Sequence, residues 1–572
     1  MSIHSLTHRT IFPRKSVLSP PQLGTPVPDL PHAVSVQLPK WQDMIDFANH
    51  TERIANAQKG GYPRSFLHPD VQTVHEFLAN KFGESNEACF VYPAILYATE
   101  CQRYVRRLLQ DDTSMDPERV RVQPFDLEME IQMQGDTVTR NIVSIYAVFL
   151  PRGAVEKGMA FWRLTGTGIS SRLAEDLVKG LETAKPYKSE NTSVCLNKAW
   201  PSSKAGDLAY STIRGRIAGL LERAPVGGPR YPTTSADDIY LYPTGMSAIY
   251  NLTRALHDWP GTKSVVFGFP YELTLKTQQD FAKDCVFYGF GTLSEMELLE
   301  DYLNMLMQQG STIQAVWCEC ASNPLLRTVD LDRLRQLADR YGFLVIVDDT
   351  IASFANVDVL GVADIVVTSL TKSFSGLADV MGGCITLNPH SPFYTRLRDI
   401  LSDGYSNNLY YRDAIKLEAN SRDFLSRAAK MNENAARIVS FLAAFRDDPK
   451  TPLQRIYFPA TCTWSCSNYE ARMRPPTEEF VPGYGGLFTL DFETADHAAI
   501  FFDALDVCKG PSLGAEVTLA QPYVQTVFAK EKAWAARYGL RESIVRISVG
   551  TEDTGALLQA FAQAIVVLLT RK

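Results

Sequence analysis

Short apolar runs that end abruptly in polar residues mark the middle of the chain. Two of them, Leu344–Val347 and Ile365–Val367, lie between Phe343 and Gly383 and are rich in β-branched residues. Such runs suit buried parallel strands, which read as continuous apolar stretches rather than as alternation. Residues 236–386 repeat the theme, with short strands alternating with helical periodicity, the βαβ pattern of a parallel sheet. After residue 387 the pattern changes. A long helical stretch begins near Ser391. Strands such as GGLFTLDF and IVRISVG then alternate with helices at His497–Leu505 and Thr554–Leu568, which predicts a smaller α+β domain. Residues 84–235 hold an amphipathic helix at Ala94–Leu109 and a strand-like polar–apolar run at Thr137–Val148. They also hold a Gly-rich turn that caps a helix in GTGISSRLAEDLVKGLE. Arg172 there reads as a solvated helix start or as a second anion contact. Residues 1–83 are arm-like, Pro-rich near the start, with little periodicity before Trp41. The chain divides into 1–83, 84–235, 236–386 and 387–572, and shows no internal repeat.

Composition narrows the class. With 572 residues, 45% hydrophobic and 21% charged, the chain suits a globular enzyme of about two or three domains. A net charge of -7 carries no nucleic-acid or anionic-membrane signal. No apolar run reaches a membrane span, and the first residues lack the apolar core of a secretory signal. The 10 Cys show no paired zinc spacing and the 9 His show no metalloprotease pattern. Reduced, buried thiols, no metal and a cytoplasmic location are expected.

The chemistry sits at the strand exits. Asp348 and Asp349 follow the first run, and Ser369, Thr371 and Lys372 follow the second. In open α/β sheets ligands bind beyond the carboxyl ends of the strands. A carboxylate, hydroxyls and an amine aimed at one ligand are what a pyridoxal 5′-phosphate (PLP) site requires: a lysine for the Schiff base, an acid for the pyridine nitrogen, donors for the phosphate. A lysine after an apolar strand is otherwise an ordinary solvated strand end.

VDDT followed by ADIVVTSLTKSFSG resembles the signature of the Cys/Met-metabolism PLP enzymes, which include cystathionine γ-synthase, cystathionine lyases and homoserine sulfhydrylases. The resemblance implies the fold-type I PLP-dependent transferase fold: a large mostly parallel sheet, a smaller C-terminal α+β domain and an N-terminal arm. Lys372 would carry PLP, Asp348 would face its ring nitrogen, and Ser369 and Thr371 would serve its phosphate. YPTGMSAIY resembles a family segment whose Gly245 and Met246 amides hold the phosphate; read alone it is a helix cap. Tyr271, in FPYELT, matches the tyrosine that stacks on the ring. Asn323, in CECASNPLLRTVDL, matches a donor to the cofactor's phenolic oxygen; alone, Asn-Pro is a turn. Arg546, in VRISVGTED, matches the grip on the substrate α-carboxylate. Ser512, in PSLGAEVTLAQP, would sit near the lysine. Glu516 falls one position early and Val517 occupies the family's Glu position. GYPRSFLHPD resembles the motif whose tyrosine and arginine, here Tyr62 and Arg64, cross into the neighbouring subunit's site, implying a homodimer or homotetramer with shared active sites.

Between the end of the stretch Gly61–Gly83, which holds that motif and the helix after it, and Gly245 about 160 residues intervene, room for a domain. This long insertion and PHAVSVQLPKW resemble fungal cystathionine γ-synthase and its relatives in biosynthetic clusters. The implied reaction is γ-replacement on an O-acyl-L-homoserine through a vinylglycine-type imine, with L-cysteine as nucleophile. Alternatives are an amine, sulfide or enolate nucleophile in a secondary pathway, a γ-lyase, or a silent paralogue.

Overall fold

A computed structural model describes residues 22–62, 65–110, 115–132, 138–187, 200–261 and 263–571. Its centre is a seven-stranded sheet, ordered in space Ile239–Tyr242, Gly383–Leu387, Ile365–Thr368, Leu344–Asp348, Ala315–Glu319, Ser264–Phe267, Cys285–Tyr288. Pairing is parallel from Ile365–Thr368 outward to Cys285–Tyr288. Gly383–Leu387 runs antiparallel to both of its neighbours. Gly383 has to be glycine, because a Cβ there would lie 2.3 Å from the Thr244 carbonyl oxygen. Val345, Ile346 and Val347 are fully buried. Each such aliphatic side chain contributes about 1.5–3 kcal/mol when taken out of water. Apolar layers on both faces explain why these strands read as unbroken apolar runs.

A second, antiparallel sheet of four strands lies in the inserted region, ordered Glu87–Tyr92, Val138–Pro151, Arg121–Gln132, Lys185–Pro186. Helices Pro69–Phe82, Ile95–Leu109, Val155–Thr165 and Ser171–Gly180 share its core. The helix Lys204–Leu221 instead joins the core of the large sheet through Ile213, Ile217 and Leu221. A third sheet of five strands, Leu453–Tyr457, Leu487–Phe492, Ile544–Ser548, Leu519–Gln521 and Cys508–Lys509, forms the C-terminal layer with helices Ala495–Ala504 and Thr554–Thr570. Val36, Leu38, Met44, Phe47 and Ile54 of the N-terminal arm are buried in that same core.

Two expectations are corrected. The helical stretch from Ser391 is three helices, Tyr394–Gly404, Tyr411–Asn420 and Phe424–Arg446, separated by non-helical residues 405–410 and 421–423. Arg172 is neither a solvated helix start nor an anion contact. It is 8% exposed, pairs with Asp413 at 3.0 Å and donates to the Asp379 carbonyl at 2.8 Å, tying the inserted unit to the large domain. Its partners lie more than two hundred positions away, so nothing local announces them. All described cysteines are free thiols. Among the described residues no helix is long and apolar enough to cross a membrane.

Candidate active site

Beyond the carboxyl ends of the central strands lies a cavity of about 320 Å³. Parallel register sets Asp348 beside Glu319 and beside Val367, so adjacent strands deliver their exits to one place. The cavity is lined by Lys372, Asp348, Ser369, Tyr271, Asn323, Gly245, Met246, Ser512, Arg546 and Tyr62. Residues far apart in the sequence therefore converge on one space. Thr371 lies just outside it, against an adjoining space of about 80 Å³. Its hydroxyl is 3.2 Å from the Gly382 carbonyl, which it serves as donor, and accepts from the Gly382 N–H. Arg64, with Pro63, lies outside the described residues. Glu516 and Val517 do not line the cavity.

Lys372 and Arg546 are linked through one residue. The Lys372 ammonium donates to Ser512 Oγ at 3.0 Å, and the Arg546 guanidinium donates to the Ser512 carbonyl at 2.7 Å. Ser512 has φ +91°, an uncommon conformation for a residue with a side chain. Arg546 also donates to Asn323 Oδ1 at 3.0 Å and to Gln521 Oε1, and lies 4.8 Å over the Tyr523 ring. The Asn323 amide nitrogen donates to the Tyr523 hydroxyl at 3.2 Å. The guanidinium is thus pre-oriented in an interior where a charged hydrogen bond is strong.

Asp348 caps the turn it ends, accepting from the Thr350 N–H at 2.9 Å. Burial holds its carboxyl above the usual range. Glu319 is a site-wall residue that sequence reading left without a role. It accepts from the Tyr271 N–H at 2.7 Å and the Asn323 N–H at 3.1 Å, fixing both flanking loops. Burial, then the nearby Asp348 charge, pushes its carboxyl well up. The signal was its strand-exit place next to Asp348. Asp349 turns the other way into the core, where it accepts from Thr368 Oγ1 at 2.6 Å. Gln521, Tyr523 and Arg163 were also missed, since nothing in their own neighbourhoods points to a site.

At the other end stands the helix Gly245–Ala255. Thr244 caps it, its hydroxyl accepting from the Ser247 N–H at 2.9 Å. The Thr244 carbonyl takes the Ala248 N–H, so the Gly245 and Met246 amides remain at the positive end of the helix. A Cβ on Gly245 would lie 2.7 Å from Ser369 Cβ, so only glycine lets helix and strand exit meet.

The sequence profile of the Cys/Met metabolism PLP-dependent enzymes matches residues 233–566. The chain belongs to this family. The fungal trans-sulfuration enzyme N-terminal domain matches residues 70–170. Similar along the whole length are the alanine racemase ungC of Aspergillus violaceofuscus, 37% identical over 94% of this chain and 95% of the relative, and the cystathionine gamma-synthase of Neurospora crassa, 33% identical over 96% and 99%. The cystathionine gamma-synthase-like enzyme iboG2 of Amanita muscaria is 35% identical over 95% and 96%. Among solved structures, cystathionine gamma synthase of Xanthomonas oryzae pv. oryzae in complex with cystathionine superposes with TM-score 0.51 at 22% identity, covering 67% of this chain and 91% of that one, which shows the fold.

The family uses PLP, and the cavity suits it. It offers an amine on a flexible stem, a buried carboxylate to face a ring nitrogen, an aromatic side chain, and helix amides with Ser369 as phosphate donors. Among the described residues no cluster of His, Cys, Asp and Glu is arranged for a metal ion.

Proposed function

We propose that this enzyme performs γ-replacement on an O-acyl-L-homoserine, with the thiol of L-cysteine as the first-choice nucleophile, the reaction of a cystathionine γ-synthase. The observation that carries this reading is the Lys372–Ser512–Arg546 link, which spaces a proton-carrying amine from a carboxylate clamp across one residue. Arg546 offers a planar fork to the α-carboxylate and exchanges its present acceptors for it. Lys372 then stands over the substrate carbons, able to take a proton at Cα and return protons along the chain as general base and acid. Asp348, the buried carboxyl at the strand exit, would face the ring nitrogen and stabilise its positive charge. PLP, when bound, supplies the sink for the electrons left at carbon. Overall, the Cγ–O bond of the ester breaks, the carboxylate leaves, and the thiol sulfur bonds to Cγ as its proton is lost.

A second reading is supported by the alanine racemase name of a relative 37% identical. There Lys372 moves a proton at Cα alone, with Tyr271 as a second proton-bearing group on the cavity wall. The two readings separate in one assay. O-acetyl- and O-succinyl-L-homoserine are incubated with cysteine, sulfide, an amine and a β-keto acid, with L-alanine in a parallel incubation, and the products are read by chiral chromatography with mass spectrometry. The proposal expects a coupled product with one carboxylic acid released per coupling. No acid release, with conversion of L- to D-alanine instead, overturns it in favour of racemisation.

A further inference from the structure

The inserted unit brings a cation to the strand-exit cavity. Ala160, Arg163 and Leu164 of its helix Val155–Thr165 line the wall. Packing fixes this helix in place. Phe161 is fully buried, and its ring lies 5.5 Å from Tyr104, 6.0 Å from Tyr250 and 6.1 Å from Phe281. Two hydrogen bonds stitch the helix end to the site: Thr277 Oγ1 donates to the Leu164 carbonyl and Thr244 Oγ1 to the Gly166 carbonyl, each at 3.1 Å. Gly166 ends the helix in the left-handed region at φ +58°, where a Cβ would collide with Thr244 Oγ1. The backbone that carries Arg163 is therefore set against the start of the helix Gly245–Ala255.

Among the described residues, four cations line the cavity: Lys372, Arg546, Lys276 and Arg163. Three are engaged. Lys372 donates to Ser512, Arg546 has its set of acceptors, and the Lys276 ammonium pairs with Glu531 at 2.8 Å. Arg163 is half-buried and makes no hydrogen bond or ion pair with another described residue. The acids of the wall lie elsewhere. Asp348 and Glu319 accept from backbone amides, and the Glu272 charge acts on Glu319 and Tyr523. A guanidinium offers a planar fork of donors that matches a carboxylate, and partial burial strengthens the pair. In γ-replacement the α-carboxylate of the homoserine substrate goes to Arg546. A second carboxylate arrives with an amino-acid nucleophile or with a dicarboxylic acyl group. We propose that Arg163 is the subsite for this second carboxylate, so that the inserted unit selects which reactants couple. Holding that end would position the reacting group over Cγ. The inference rests on the γ-replacement reading for the source of the carboxylate, and on the cavity wall for the subsite itself.

The test uses the full-length, PLP-loaded protein and two ligands that differ by one carboxylate, L-ethionine and S-(2-carboxyethyl)-L-homocysteine. Their dissociation constants are read from the visible band of the cofactor. Wild type should bind the carboxyethyl ligand about tenfold or more tightly. Arg163→Gln should erase that preference while PLP affinity, ethionine binding and Tm hold. Arg163→Lys, which keeps the charge and loses the fork, should retain part of it. Equal binding of the two ligands by wild type overturns the proposal. A preference that survives in Arg163→Gln also overturns it, and weakened PLP binding beside it would place the residue at the cofactor. Because binding needs no turnover, a failed coupling assay would sink γ-replacement and leave the subsite standing. Two kinetic comparisons then name the carrier. With O-acetyl-L-homoserine, a loss of kcat/KM in Arg163→Gln for cysteine but not for cysteamine assigns the carboxylate to the nucleophile. With cysteamine held constant, a loss for O-succinyl- but not for O-acetyl-L-homoserine assigns it to the acyl group. In an enzyme that couples these reactants, an equal loss across all of them overturns the proposal.

Discussion

Lys372, Ser512 and Arg546 form a chain of contacts that makes distinct demands on each member. Lys372→Ala removes the amine that the Ser512 hydroxyl holds over the cavity, and turnover should fall by at least about 10²–10⁴, the usual worth of a positioned acid–base group. Steady-state assays with saturating PLP check this. Arg546→Lys keeps the charge but loses the fork that reaches Asn323, Ser512 and Gln521 together. Substrate KM should rise roughly tenfold or more, with PLP affinity unchanged; a loss of PLP with constant KM would place Arg546 at the cofactor instead. Asp349, one residue beyond the ring-facing acid, obeys a different logic. It is 1% exposed, and burial raises its carboxyl from 3.8 to about 7. The folded chain therefore binds this proton more tightly than the unfolded one. Its contribution to stability is complete below about pH 4 and is lost as pH climbs toward 7. Asp349→Asn should gain in Tm relative to wild type as pH rises from about 5 to 8, read by thermal melts across that range. A pH-independent difference would show that Asp349 stays charged.

At the scale of elements, the meeting of helix Gly245–Ala255 with the Ser369 turn is the tightest joint of the site. In an open helix, Gly→Ala is favourable by about 1 kcal/mol. Here the new methyl would press on Ser369 Cβ at 2.7 Å, and overpacking of that kind costs about 1–3 kcal/mol, so the steric effect wins. Gly245→Ala should weaken PLP binding by about tenfold with a smaller change in Tm, measured by cofactor titration beside a thermal melt. This joint was legible in outline. A cap residue, a glycine and an apolar run announce a helix, and an apolar run ending in Ser-x-Thr-Lys announces a strand exit. Glu319 was legible only as a strand exit and Gln521 not at all, because their roles come from neighbours in space: Glu319 through backbone amides of two loops, Gln521 through Arg546 on the adjacent antiparallel strand. The break of the helical stretch after Ser391 was lost for a similar reason, since the residues between its helices make tertiary contacts such as Tyr405 OH with the Leu241 carbonyl and Tyr210 OH with the Leu409 carbonyl.

At the scale of the molecule, the large parallel sheet and the C-terminal α+β layer followed from hydrophobic patterning, because each strand is buried on a face that the pattern records. The placement of the arm did not. Its Val36, Leu38 and Phe47 are few and widely spaced, yet all are buried in the C-terminal core. The inserted unit gave up its helices and strands but not its position over the cavity, which depends on Thr244, Thr277 and the Arg172–Asp413 pair. We propose Lys372 as the residue on which the cavity at the strand exits holds PLP. Borohydride reduction of the PLP-loaded protein, digestion and peptide mass mapping tests it most directly. A single stoichiometric adduct is expected on the peptide containing Lys372, absent in Lys372→Ala. An adduct on another lysine of the cavity wall, such as Lys276, or full PLP-dependent turnover without any adduct, would contradict it.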